Sequence, residues 1–279
     1  MFKIKKIHFV AIIALLTSIC IKAQSELTFS DNEKLGYVGA YSLGFIYTEV
    51  ADISLSLQKT AGKDEYVVKG GGLTRKFYSN FFSVNDYYET HFQTQPNIRS
   101  LSFYRSIEEG GYTMKNDYKF DWTNKMITGV MQKQKEAFQP FALAMEGNKN
   151  YSDVLTAFYN FRNQNFNNIS AGKKFSFYFI LDNEFYSIQC VYIGKEVRKL
   201  KKFDKKPINT LKFNFEVVAG EVFKGNEVIT VWISDDANHI PLEFDFPIRV
   251  GRMRAYLSSY QNLKFPLNFV NNANDGLKK

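Results

Sequence analysis

Few residues in this chain are of a type and spacing that could do chemistry. Beyond residue 23 there are two histidines, His91 and His239, and one cysteine, Cys190. No H-x-H, H-E-x-x-H or C-x-x-C spacing occurs, so a zinc centre would need scattered ligands. Asp235, Asp236 and Asn238 offer oxygen ligands, but outside any EF-hand pattern. Gly39-Ala40-Tyr41-Ser42-Leu43-Gly44 carries one residue too many for a nucleophile elbow. Gly70-Gly71-Gly72 lacks the Lys and Ser/Thr of a phosphate loop and reads as a turn. Cys190 lies in the apolar run Ile188–Tyr192, where a buried, inert thiol is expected. The adjacent acids Glu108/Glu109 and Asp235/Asp236 could supply an acid and a base, but neighbours on a strand point to opposite faces. No cofactor and no metal are expected. A glycan hydrolase stays as the minor reading, and it requires two carboxylates converging in one cleft, about 5–10 Å apart.

The elements that would position any site are strands. Ile53, Leu55 and Leu57 alternate with polar residues, as do Phe175, Phe177 and Phe179, and Leu211, Phe213, Phe215 and Val217. Each set places one face of a strand on a core. Turn chemistry separates them, at Gly70–Gly72, Glu109-Gly110-Gly111, Asp182-Asn183, Lys224-Gly225-Asn226 and Asp235–Asn238. The expected fold is mainly β: a curved antiparallel sheet, half-barrel or barrel-like, with one or two short helices packed on it. Apolar alternation from Phe244 to Val250 changes phase at Gly251, which predicts a bulge there. One helix is predicted over Asp153–Asn163, capped by Ser152 or Asp153, with Val154, Ala157, Phe158 and Phe161 on its apolar face. A weaker helical pattern covers Lys76–Val84.

The first residues set the compartment. Lys3, Lys5 and Lys6 precede an uncharged apolar run from Phe9 to Ile21, too short to span a bilayer. Residues 1–23 are therefore expected to be a signal peptide, followed by a single β-rich domain over 24–270 and a loose tail over 271–279. Cys20 raises the alternative of an acylated anchor, which bulky Ile19 disfavours. Loss of residues 1–23 removes four lysines and no acid, so the formal net charge falls from +8 to +4. That leaves no compositional case for nucleic acid. No later stretch is apolar enough to cross a membrane as a helix. The basic stretch Lys195–Lys206 reads as a solvated hairpin end, with a patch for acidic headgroups as the sharper alternative. Aromatic residues make up 16% of the chain. They either fill the core of a large sheet or leave an apolar cleft for a hydrophobic ligand.

The run Val231-Trp232-Ile233-Ser234-Asp235-Asp236-Ala237-Asn238-His239-Ile240-Pro241-Leu242, continued by Val250-Gly251-Arg252, resembles the closing block of the domain-of-unknown-function family 3108. The helix Asp153–Arg162 is similar to that family's D-x-L-S/T-A-x-Y-x-x-R segment, and Glu109-Gly110-Gly111-Tyr112 also fits. The resemblance implies an exported bacterial envelope protein, in the periplasm or at the outer-membrane periphery, with no established activity. It further implies kinship with half-barrel lipoprotein carriers, whose curved sheet cradles acyl chains beneath short helices. On that kinship Tyr159, Arg162 and Trp232 are the expected ligand-contacting residues, and a lipid or lipoprotein is the expected ligand. A structural or interaction module that meets an envelope partner is the alternative. Trp232 could equally be core, and Arg162 could pair with Asp235 or Asp236 to dock the helix, which is the favoured role. Asp235, Asp236, Asn238 and Pro241 are expected to build a structural turn.

Overall fold

The computed structural model describes residues 26–62, 64–80, 82–217, 228–248 and 250–270. The expected leader with Cys20, the Lys224–Asn226 turn and the tail lie outside the described residues. The first half of the chain is an antiparallel meander of β1 (Lys34–Leu43), β2 (Ile46–Lys59), β3 (Glu65–Thr74), β4 (Asn85–Gln93), β5 (Arg99–Glu109), β6 (Tyr112–Asp121), β7 (Met126–Lys133) and β8 (Gln139–Ala144). The chain then forms the short β9 (Tyr151–Ser152) and the helix α1 (Val154–Arg162). It returns through β10 (Lys174–Leu181), β11 (Glu184–Lys199), β12 (Pro207–Val217), β13 (Val228–Ser234), β14 (Pro241–Pro247) and β15 (Arg252–Gln261).

All the strands join one sheet in the order β8-β7-β6-β5-β4-β3-β2-β1-β15-β14-β13-β12-β11-β10-β9. The two halves of the chain meet in the middle, where β1 pairs antiparallel with β15. The sheet is open, since β8 and β9 do not pair with each other, and it curls round α1 as a half-barrel. Register shifts at Gly36/Tyr37, Gly39/Ala40 and Tyr192/Gly194 supply the local bends that curling requires. Gly251 is not one of them. It sits in the turn between β14 and β15 at φ 87°. A Cβ there would lie 2.5 Å from the Ser42 carbonyl, so glycine is needed twice over. The Lys76–Val84 pattern forms a loop of turns, and α1 is the only helix among the described residues.

Side chains, rather than backbone pairing, bring the far halves of the sheet together. Phe103, Tyr118, Phe120 and Ile127 of β5–β7 form one cluster with Tyr151 and Ile180 from the opposite edge. Asp182 and Asn183 form a two-residue turn, both at positive φ, as a type I′ hairpin requires. Buried Arg105 donates to Asp182, and Asn116 Nδ2 donates to Asn183 Oδ1 at 3.1 Å. No helix of the described residues is long and apolar enough to cross a membrane.

Candidate functional site

The helix is held at both ends by buried polar groups. At its start, Asp153 Oδ1 accepts the backbone N–H groups of Leu155 and Thr156, both at 2.9 Å. Its Oδ2 accepts the hydroxyls of Ser100 at 2.6 Å, Thr90 at 2.7 Å and Thr156 at 2.7 Å. A single carboxylate thus caps the helix and ties it to β4 and β5. Burial pushes its pKa up even against those donors.

At the other end Arg162 is fully buried and forks onto Glu33, itself fully buried, with Nη1 to Oε1 at 2.6 Å and Nη2 to Oε2 at 2.9 Å. The Asn238 carbonyl accepts from Nε and Nη2, both at 3.3 Å. Burial alone would lower the Arg162 pKa, but the Glu33 carboxylate outweighs it and keeps the guanidinium charged. Arg162 therefore docks the helix, but its partner is Glu33 and not Asp235 or Asp236. Tyr159 belongs to the same cluster, its hydroxyl 3.4 Å from Glu33 Oε1 and its ring against Phe29 and Phe92.

The Asp235–Pro241 segment builds the floor beneath this cluster. Asp236 Oδ1 accepts from the Ser234 hydroxyl and from the Asn238 N–H, which closes the turn. Asp235 pairs with Lys195 at 2.6 Å. The Asn238 side chain mimics a backbone unit, donating to the Phe265 carbonyl at 2.9 Å and accepting its N–H at 3.0 Å. Pro241 accepts the Tyr37 hydroxyl at 3.0 Å. His239 Nδ1 lies 2.8 Å from the Arg162 carbonyl, one of the orphan acceptors at the helix end, so this nitrogen carries the proton. Burial lowers the His239 pKa and keeps the ring neutral. Cys190 is fully buried, and burial raises its thiol well above the reactive range. Among the described residues no group of His, Cys, Asp and Glu could hold a metal.

Anchored on its polar side, the helix leaves its apolar side unfilled. Val154, Ala157, Phe158 and Phe161 face β10–β14 across a cavity of about 360 Å³. The opposite wall is Phe177, Phe179, Ile188, Phe215, Ile229, Val231, Pro241 and Phe244, so among the described residues every lining residue is apolar. The sequence marks these residues only as core-facing. Alternation says which way a side chain points, not whether the opposing surface reaches it.

Trp232 lies on the other face of the sheet. Val231 and Ile233 on either side of it pack in the cluster under the helix. Its Nε1 donates to Glu196 Oε2 at 2.7 Å, and the Arg198 guanidinium sits 4.4 Å from the ring. Hydrogen bonds from Lys212 and Trp232 hold Glu196 below the usual carboxylate range. The basic hairpin end is part of this outer-face network. Arg198 pairs with Glu243, Lys202 with Glu49, and Lys201 lies 3.8 Å from the Tyr47 ring centroid. Burial would raise Glu49, but hydrogen bonds from Tyr256, Lys202 and Arg75 bring it down to about 2.

One carboxylate pair does converge, on the rim of the sheet. Asp86 is pushed up to about 6 by burial and by the neighbouring Glu109. Neither residue lines the apolar cavity. From pH 3.8 to about 6 the folded chain keeps a proton that the unfolded chain has lost, so stability falls as pH rises through that window. Asp86→Asn keeps an acceptor for the Glu108 N–H and removes the repulsion. It is expected to stabilise the fold by roughly 1 kcal/mol near neutral pH, and by nothing near pH 4. Urea midpoints at the two pH values check this, and an equal effect at both would rule out the proton assignment.

Residues 40–258 match the family described as "Protein of unknown function (DUF3108)". The chain belongs to DUF3108. The motif residues on which the resemblance rested are, in this DUF3108 chain, the anchors of the helix: Asp153 and Arg162 at its two ends, and Asn238 on the floor beneath. Among solved structures, the DUF3108 chain is similar to a β-barrel-like protein of the domain of unknown function DUF1849 from Brucella abortus, with a TM-score of 0.51 and 8% identity. That match covers 84% of this chain and 99% of the other, and it shows a shared fold. A Bacteroides fragilis protein with a YmcC-like fold, described as exported, matches at TM-score 0.34 and 6% identity, over 85% and 100% of the two chains. A Parabacteroides distasonis protein described as a lipoprotein matches at 0.30 and 8%, over 84% and 98%. No curated protein is similar enough in sequence to match.

Proposed function

We propose that this protein is an exported envelope protein that holds a single apolar chain, such as the acyl group of a lipid or lipoprotein, between α1 and β10–β14. The observation that supports this reading is the cavity of about 360 Å³ with no polar lining residue among the described residues. Its volume falls in the range of about 300–1,000 Å³ typical of small-molecule sites. Such sites usually place a few polar groups to orient a ligand. Their absence among the described residues favours a ligand portion with no polar atoms. A wholly apolar cavity also gains nothing from water and is a ready host for hydrocarbon. The export leader read from residues 1–23 supplies the compartment in which such ligands occur. Tyr159 and Arg162 support the site from beneath by fixing the helix, while Ala157, Phe158 and Phe161 make the contact.

Ala157 is the small residue on the helix side of the cavity, which makes it the point to test. Ala157→Trp is expected to fill the space and to reduce binding of a fluorescent fatty-acid probe at least tenfold, with the fold retained. Solvent extraction of purified wild-type protein followed by mass spectrometry is expected to release acyl-bearing molecules. If the wild-type protein yields no lipid and takes up no probe, the reading fails.

A further inference from the structure

One rim of the half-barrel is apolar and exposed. The meander places the β1–β2, β3–β4, β5–β6 and β7–β8 turns at the same end of the sheet, and the pairing of Ser42 with Arg252 sets the β14–β15 turn beside them. Among the described residues, twelve of the fifteen exposed large apolar side chains lie in these turns or within three residues of them. Scattered apolar residues are ordinary on a protein surface, but concentration at one end is not. Phe45 at the tip of the β1–β2 hairpin is 100% exposed, Phe77 in the β3–β4 loop 73% and Val250 in the β14–β15 turn 58%. These three tips are held together. The Tyr41 hydroxyl donates to the Val250 carbonyl at 3.2 Å, and Thr48 on β2 shares a hydrogen bond with Tyr78 of the β3–β4 loop.

Charge around these three tips has one sign, while the acids of the rim, Asp86, Glu108, Glu109 and Glu136, lie toward the β5–β6 and β7–β8 turns. The stretches 41–48, 73–84 and 246–252 contain no aspartate or glutamate, and their sequence carries Arg75, Lys76, Arg249 and Arg252. Arg75 is braced by Glu49 and Asp52, and Arg252 by Asp245, acids set back along the strands from the tips. Aromatic and aliphatic tips with tyrosines behind them and cations alongside are the composition of a surface that enters the boundary between lipid headgroups and chains. The cavity lies toward the same rim: Phe179 and Phe215 are near the ends of β10 and β12 there, and Ile229 is at the start of β13.

We infer that this rim is a membrane-docking surface, with Phe45 and Phe77 inserting into the headgroup–chain boundary of a bilayer. The inference does not depend on the apolar-chain reading, although it would set the cavity facing the lipid. The test is flotation of the purified full-chain protein, as the cell processes it, with phosphatidylglycerol/phosphatidylethanolamine vesicles and with phosphatidylcholine vesicles. Binding to both is expected, tighter to the anionic vesicles. Phe45→Ser combined with Phe77→Ser is expected to weaken partitioning by about tenfold or more. Val197→Ser, an exposed apolar residue away from the rim, is expected to change nothing. Both sites are exposed, so an unchanged circular dichroism spectrum is expected for each variant. The inference is overturned if wild-type protein floats with neither vesicle, or if the double variant floats as wild type does. It is equally overturned if the tips instead drive a concentration-dependent dimer that Phe45→Ser abolishes. Ala157→Trp separates the two readings: it is expected to float normally while losing the fatty-acid probe.

Discussion

Replacing Arg162 with methionine is expected to destabilise the fold by about 3–5 kcal/mol, a large fraction of the total for an ordinary domain. Methionine fills similar space but offers no donor. Glu33 would be left fully buried, with only the Tyr159 hydroxyl at 3.4 Å among the described residues to compensate its charge. The Asn238 carbonyl would also lose both of its guanidinium contacts. Almost all of this penalty comes from the stranded carboxylate and not from the lost attraction, and the two can be separated. Glu33→Leu combined with Arg162→Met removes both charges, and such paired replacements are often neutral or better. The double variant is expected to recover most of the loss, as read from urea denaturation midpoints with an unchanged slope. If the single variant costs less than about 1 kcal/mol, the buried pair is not what fixes the helix end.

That pair marks the limit of what could be read from the sequence. The strands were legible because period-two alternation fixes faces without knowledge of partners. Phe175, Phe177, Phe213 and Phe215 all pack under the helix, as their spacing requires. The Asp182-Asn183 turn and the Asp153 cap were legible for a similar reason, being local chemistry. Glu33 was not, since it stands 129 residues from Arg162 in a segment with no periodic pattern. Amphipathic logic set the apolar face of the helix toward the sheet, where Val154, Phe158 and Phe161 pack, but said nothing of the polar face. It expects the polar side to face water, yet Thr156, Tyr159 and Arg162 are fully buried along with Phe161, each with a polar partner for its polar atoms. The apolar stripe packs on the sheet and also borders the cavity. At Gly251 a short exposed turn flanked by apolar residues has the same sequence signature as a bulge, and only the pairing distinguishes them. For Trp232 the alternation held the answer, since Val231 and Ile233 claim the inner face.

The opposite end of the helix is expected to be nearly as sensitive. Asp153→Ala removes an N-cap, worth about 1–2 kcal/mol by itself. It also strips three buried hydroxyls, on Thr90, Ser100 and Thr156, of their shared acceptor at 2.6–2.7 Å. Each would have to find another partner or remain unpaired at about 1 kcal/mol or more. A total loss of roughly 3–4 kcal/mol is expected, short of a simple sum because the hydroxyls can turn toward one another. Thr90 and Thr156 already lie 3.1 Å apart. Asp153→Asn keeps the cap through its amide oxygen and presents an N–H₂ group to hydroxyls that can rotate to accept, so it is expected to cost about 1 kcal/mol. The two variants together distinguish a helix cap from a tether between helix and sheet. Denaturant midpoints give the totals, and hydrogen exchange at Leu155 and Thr156 reports the cap. If the alanine variant frees those amides but loses no more stability than the asparagine variant, Asp153 caps the helix without tying it to β4 and β5. The cavity would then need another explanation for standing open.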